Sequence, residues 1–456
     1  MGTFVLRSAY LLLLFGAKVD GFVQKSNIGS CQQHGRMESF SVGGIENVGN
    51  NGLANGRLES FLQAQSDETD SAAPDSQGQE SVGGMDRRRA MKATGMAMLS
   101  LWLGDTFGSE SLPSKWAAFA AEEAASGSPG KTVLITGCNS GIGLEAARIL
   151  ARRNPSDKLI LACRTQAKAD GTAQKILEET PAANLVPAEC DLASLNSVKK
   201  FAASLDGKLD VVCYNAGLAL NTQGEIERTA DGFERTIGTN HLGHFYLHHL
   251  LEPKLNTGNG KAVITASSVH DPESPGGKQG IPATLGDLDG FARDGKNFEM
   301  VDGNPYNGDK AYKDSKLCNI LFCRELQRKL AADDATKNVV VNAFSPGLIT
   351  SSGFFRYQNP VFASVFNVAV SSVFKVAETP EYGGAALAYM TTVENTRGEF
   401  FDSPPGTSNK YASDGNDYQG AFGKEFAPTA VSKEALDNQK AKRLWTLSEK
   451  LVGISS

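Results

Sequence analysis

The sequence predicts an α/β protein built on a doubly wound parallel sheet, and three observations predict it. From Lys131 onward, short apolar runs of strand character alternate with stretches whose apolar residues recur at helical spacing. The first pair, KTVLITG and LEAARILARR, is joined by the glycine-bearing turn CNSGIG. Strand, glycine turn and helix in that order form a cradle for a dinucleotide's phosphates. Nothing in residues 129–456 calls for a second folded domain.

The residues before that domain read as targeting sequence. Arg7 followed by AYLLLLFGAKVDGF gives residues 1–24 the basic start and short apolar core of a secretory signal. Residues 25–128 begin with a stretch rich in Ser, Gln, Asn and Gly, which predicts a largely disordered region. A second signal-like unit follows: Arg87, Arg88 and Arg89, the run AMKATGMAMLSLWLG, and small residues around 117–124. Two successive segments of this kind resemble the presequences of plastid proteins in algae whose plastid lies inside the secretory system. The second resembles a twin-arginine thylakoid signal. This implies a plastid protein associated with the thylakoid; a single signal peptide followed by a membrane-associating helix is the alternative.

Composition removes other classes. The net charge is −6 and no basic block suits nucleic acid. The seven cysteines, at 31, 138, 163, 190, 213, 318 and 323, show neither CxxC nor zinc spacing, so no disulfide framework and no metal site is expected.

Within the domain, Gly137 and Gly141 let the backbone approach phosphates, and Gly143 lets the helix pack on its strand. Asn139, Ser140 and Ile142 complete that turn at a helix N-terminus, which favours an anion. The next strand, KLILACRT, closes on Cys163 and Arg164, where an NAD-selective site carries an acid. An arginine there suits a 2′-phosphate and predicts NADPH; an exposed Arg164 without a ligand is the alternative. Further on, Tyr312 and Lys316 stand four apart and share one helix face. A phenol alone titrates near pH ~10. The neighbouring ammonium is expected to lower that value and make Tyr312 a proton donor. His241, His244, His248 and His249 lie on one predicted helix with no acid or cysteine among them, so packing is favoured over metal binding.

The spacing TGxxxGIG at 136–143 resembles the short-chain dehydrogenase/reductase family, whose sheet is of the Rossmann type. The resemblance implies roles for residues elsewhere. Asp191 and Leu192 would hold the adenine ring, and Asn215, Ala216 and Gly217 would line the cofactor. Pro346, Gly347 and Ile349 would hold the nicotinamide carboxamide. Asn240 would organise the water and lysine of a proton relay, Ser268 would orient the substrate or the phenol, and Lys316 would also bind the nicotinamide ribose.

From 131 to the C-terminus the chain resembles, within that family, the light-dependent protochlorophyllide oxidoreductases. The string YKDSKLCN, the long connection between Ser268 and Tyr312, and the ending KAKRLWTLSEKLVG carry this likeness. It implies a tetrapyrrole substrate, a hydride from NADPH and a proton from Tyr312. Two positions depart: Ala219 stands where those proteins carry Tyr, and Leu348 stands where they carry Cys. A dark reductase of carotenoid, retinoid-like or lipid ketones therefore stays open, as does a pigment-binding or NADPH-sensing protein without turnover. Residues 359–378 are apolar and read either as a substrate lid with a thylakoid-facing surface or as a buried helix pair. Whether the chain forms a homo-oligomer is left open.

Overall fold

A computed structural model of the chain describes residues 130–220, 224–349, 376–413 and 417–454. The targeting segments and most of the 359–378 stretch lie outside the described residues.

Seven strands run in parallel: β1 Thr132–Thr136, β2 Lys158–Cys163, β3 Asn184–Glu189, β4 Val211–Tyr214, β5 Lys261–Thr265, β6 Val340–Phe344 and β7 Phe400–Asp402. An eighth, β8 Ala427–Pro428, pairs antiparallel with β7 at the edge, and the order across the sheet is 3-2-1-4-5-6-7-8. The order in which successive strands are added reverses between β1 and β4, the switch point at which such sheets open a crevice for ligand. The expected doubly wound sheet is present, with the two-residue antiparallel edge added.

Period-two alternation explains why both faces are covered. Leu134, Ile160, Val212 and Ile264 face one apolar cluster; Ile135, Leu161, Cys213 and Val263 face the other. Helix α1 (Gly141–Arg153), α2 (Gln166–Glu179) and α6 (Pro380–Met390) bury residues in the second cluster. The first takes α3 (Leu195–Ser204), α4 (Gly243–Leu251), α5 (Gly308–Ala332) and α7 (Asn438–Val452).

The long connection between β5 and α5 is folded against the domain. Leu285, Leu288, Phe291, Phe298 and Val301 are buried in the first cluster. Polar bonds from α5 fasten it: Lys310 Nζ donates to the Thr284 carbonyl at 2.8 Å, and the Lys313 ammonium bonds the Gln279 and Ile281 carbonyls. Helix α5 starts cleanly because the Asn307 side chain accepts from the Lys310 N–H at 2.9 Å. Helix α7 closes the chain over α5, bringing Trp445 to within 5.9 Å of Phe322, ring centre to ring centre.

Candidate active site

The phosphate cradle forms at the end of β1. Gly137 takes φ +69° and Gly141 φ +56°, the left-handed region open to glycine. A Cβ on Gly137 would lie 2.8 Å from Ala216 Cα, and one on Gly143 would lie 2.6 Å from the Gly137 carbonyl. No side chain could fit at either point. Helix α1 begins at Gly141 with no bond from the Ser140 side chain to its first N–H groups, and no acid stands in its first turn. Those donors and the positive end of the helix dipole are free to meet an anion. Asn139, Gly141 and Ile142 are half-buried around the turn and Ser140 is exposed.

The neighbouring elements bring the other expected residues to the same side of the sheet. Arg164 is exposed immediately after β2 and forms no ion pair among the described residues. Asp191, just past β3, accepts the Ala193 N–H at 3.0 Å, and Leu192 packs beneath it. Thr136 ties the β4 end to β1: its hydroxyl oxygen accepts the Asn215 and Ala216 N–H groups at 2.9 and 3.0 Å. Asn215 Nδ2 donates to the Thr136 carbonyl, and its Oδ1 accepts from the Thr265 hydroxyl. Gly217 is exposed beside this tie. Pro346 and Gly347 turn out of β6, with Gly347 at φ +78°, and Ile349 is buried after them. The donor set and the glycine-only approaches fit a phosphorylated dinucleotide.

Tyr312 and Lys316 share one face of α5, with the ammonium 5.4 Å from the phenol ring centre. Their electrostatics correct the expectation from sequence. Tyr312 keeps part of its surface open, yet burial pushes the phenol well above its ordinary value, opposed only by the Ser267 hydroxyl. Burial also brings the Lys316 ammonium down to about 8. Desolvation therefore outweighs the lysine's charge. A phenol held in its protonated form remains a proton donor, and it gives up that proton only to a strongly basic partner. Lys316 Nζ donates to the Thr265 carbonyl at 3.1 Å, and Asn319 Nδ2 donates to the same oxygen at 3.1 Å.

Beside the expected Ser268, the structure brings in a second serine. The hydroxyl bonded to the phenol is that of Ser267. Strand β5 ends at Thr265, and a one-turn helix, Ser268–His270, starts immediately afterwards. Ser267 is the cap of that turn, its hydroxyl oxygen accepting the Val269 N–H at 3.4 Å. His270 holds the cap from behind: its Nδ1 bonds the Ser267 carbonyl at 2.8 Å, and its Nε2 accepts the Ser432 N–H at 3.3 Å. A paired-serine string shows neither partner, so sequence alone could not choose between them.

Asn240 sits in a π-helical turn, Gly238–Leu242, and is fully buried. Its amide bridges the Leu218 backbone in both directions at 2.9 Å and donates to the Ser315 hydroxyl at 3.1 Å. The side chain is thus committed to joining the β4 loop to α5, and the Asn240 backbone carbonyl accepts from His244 Nδ1 at 3.1 Å. A Cβ on Gly217 would lie 3.4 Å from Asn240 Oδ1 and 3.7 Å from Lys316 Nζ, so this joint borders the lysine.

His241 of the π-helical turn and His244, His248 and His249 of α4 pack among aromatic rings. His241, His244 and His248 lie among Tyr214, Phe245, Phe322 and Trp445, and burial holds them near 3, 4 and 3 respectively. Tyr214 bonds His248 Nδ1 at 3.0 Å while Cys213 faces the opposite cluster. Neither could replace the aromatic missing at the buried Ala219.

Comparison with known proteins agrees with this geometry. The family described as short chain dehydrogenase matches residues 131–278. The chloroplastic protochlorophyllide reductase of Chlamydomonas reinhardtii is 34% identical over 333 residues, covering 72% of this chain and 79% of that one. That of Daucus carota is 34% identical over 333 residues, covering 71% and 78%. Among solved structures, an uncharacterized protein from Mycobacterium paratuberculosis superposes with a TM-score of 0.50 at 30% identity, covering 72% of this chain and 97% of that one. The chain belongs to the short-chain dehydrogenase/reductase family, as a protochlorophyllide reductase-like member, and is an NADPH-dependent oxidoreductase.

Proposed function

We propose that this enzyme carries out the light-driven reduction of protochlorophyllide to chlorophyllide in a plastid, with residues 1–128 serving as a two-part presequence. The single observation that carries the reading is the Tyr312–Lys316 face of α5, set beside a glycine cradle in a chain 34% identical to protochlorophyllide reductases. The relatives' chloroplastic names support the plastid, and the twin-arginine-like segment supports the thylakoid surface as its place there.

In this reading the turn at 137–143 and the start of α1 hold the pyrophosphate, and Arg164 meets the 2′-phosphate. Asp191 and Leu192 border the adenine, while Asn215, Ala216 and Gly217 line the path between. Pro346, Gly347 and Ile349 hold the carboxamide end. Bound NADPH supplies the hydride, to one carbon of the ring D double bond. Tyr312 keeps its proton until the neighbouring carbon becomes basic, then delivers it there. Ser267 fixes the phenol's direction, and Lys316 binds the ribose and answers the phenolate's charge. Asn240 holds the lysine's surroundings in register.

A second reading rests on Ala219 and Leu348, which remove an aromatic and a thiol from the pigment side. It is a dark carbonyl reductase acting on an apolar ketone, using the same phenol and lysine. Mixing the protein with NADPH and protochlorophyllide and following red absorbance before and after a flash separates the two. Growth of the chlorophyllide band only after the flash supports the light-driven reaction. No band after illumination, together with dark NADPH oxidation on an apolar ketone, selects the other.

A further inference from the structure

Two thiols at the cofactor end of the sheet take no part in the scheme above. Cys138 lies inside the glycine turn, and Cys163 is the last residue of β2, directly before Arg164. Their sulfurs are 3.5 Å apart, and both side chains are buried. The register that pairs Thr136 with Ala162, and the bond from the Gly137 N–H to the Ala162 carbonyl at 2.8 Å, set them side by side. We propose that Cys138 and Cys163 are a peroxide-sensitive dithiol whose oxidation to a disulfide weakens NADPH binding.

The two sulfurs have different environments. The contact with the Cys138 thiol, with the Cys138 backbone N–H and the Lys168 charge assisting, outweighs burial and holds Cys163 below the ordinary thiol range. The same thiol–thiol bond, with burial, pushes Cys138 well above it. Cys163 is therefore the nucleophile. Its thiolate attacks one oxygen of hydrogen peroxide and the O–O bond breaks. The departing hydroxide takes the Cys138 proton and leaves as water. The sulfur of Cys138 then displaces the sulfenic oxygen of Cys163, the S–S bond forms, and a second water leaves with one further proton from solvent. Two thiols are oxidised by two electrons, and one peroxide is reduced to two waters. Burial of both sulfurs excludes bulky disulfides as the oxidant. Cys190, Cys213 and Cys323 are pushed up to about 12 by burial, and none of them has a sulfur partner among the described residues.

Bond formation draws the sulfurs in to about 2.05 Å. The strain reaches the cradle by position, because Cys138 sits between Gly137 and Gly141 and Cys163 directly precedes Arg164. The N–H groups of the cradle and the Arg164 backbone therefore shift together. This coupling rests on the NADPH reading of the site.

The test uses the reduced protein with and without hydrogen peroxide, reading intact mass, peptide map and NADPH affinity by titration. The expected result is a loss of about 2 Da with one peptide bridging 138 and 163. NADPH affinity is expected to fall about tenfold and to recover with a dithiol reductant. Cys138→Ala should lose the bridge and the affinity shift. Absence of the bridged peptide, or a bridge with unchanged NADPH affinity, overturns the proposal. Reduced protein that binds no NADPH overturns the cofactor reading and the coupling with it, while the bridged peptide still reads the thiol chemistry.

Discussion

Helix α5 carries two side-chain pairs at the same spacing and treats them in opposite ways. Lys310 and Asp314 form an ion pair of 2.5 Å, completed by Asp302 at 2.8 Å and by the Thr284 carbonyl. Two residues along, Tyr312 and Lys316 share a face with no carboxylate among the partners of the lysine. In the first pair burial is answered by opposite charge: the aspartates carry Lys310 above its usual value, while Asp314, more deeply buried, rises to about 7 despite the lysine. In the second, burial goes unanswered, so the phenol moves up and the ammonium down to about 8. The clamp spends its charges on holding the β5–α5 connection. The reactive pair keeps its own for ligands.

The largest effect expected from breaking this contrast is on turnover. Tyr312→Phe removes the proton donor and little volume, so activity should fall by about 10²–10⁴-fold with NADPH affinity retained. Steady-state rates beside a cofactor titration check it, and a near-normal rate would end the assignment of Tyr312. Next is the clamp. Lys310→Met leaves two buried carboxylates facing each other, a loss of about 3–5 kcal/mol. Denaturant unfolding reads it, and a loss under about 1 kcal/mol would mean that water already screens the trio.

Lys316→Met should act in the opposite direction on stability while abolishing activity. The wild-type lysine pays a desolvation penalty, and Asn319 keeps the Thr265 carbonyl bonded when Lys316 leaves. The gain is about 2 kcal/mol at neutral pH. Its sign with pH follows from the lowered value. Below about 8 both folded and unfolded wild type carry the charge, and the penalty is complete. Between about 8 and the model-compound value of 10.5 the unfolded chain alone holds the proton, so wild-type stability rises and the variant's advantage fades. A variant less stable than wild type at pH 7 would show that the lysine is a net structural asset.

The same contrast marks what was legible in the sequence. Local periodicity and the glycine turn suffice for the sheet because each strand's alternation and each helix's spacing are written in adjacent residues. The Tyr312–Lys316 face follows from a four-residue spacing alone. The two-residue strand β8 carries too little pattern to announce itself. The direction of the Tyr312 shift depends on how much water α5 loses when the 285–301 connection and α7 cover the first cluster, which no local string records. The amide of Asn240 is taken up by Leu218 and Ser315, partners 22 and 75 residues away that no local string reveals.

The choice between Ser267 and Ser268 is the smallest effect and the sharpest test of local geometry. The Ser267 hydroxyl bonds the phenol from the cap position just past β5, before a one-turn helix. Ser267→Ala removes that bond, worth about tenfold in rate. Ser268→Ala should change the rate less than about twofold. The effect of Ser267→Ala should appear in kcat rather than in NADPH affinity, because the hydroxyl directs the proton and touches no phosphate donor. His270→Ala supplies the control for position: it frees the Ser267 carbonyl and the Ser432 N–H while leaving the hydroxyl in place. If His270→Ala lowers kcat by a similar factor, the orientation of the cap matters as much as its oxygen. If Ser268→Ala is the damaging change instead, the chain turns one residue later than Thr265, and the register of the cleft must be redrawn from that point.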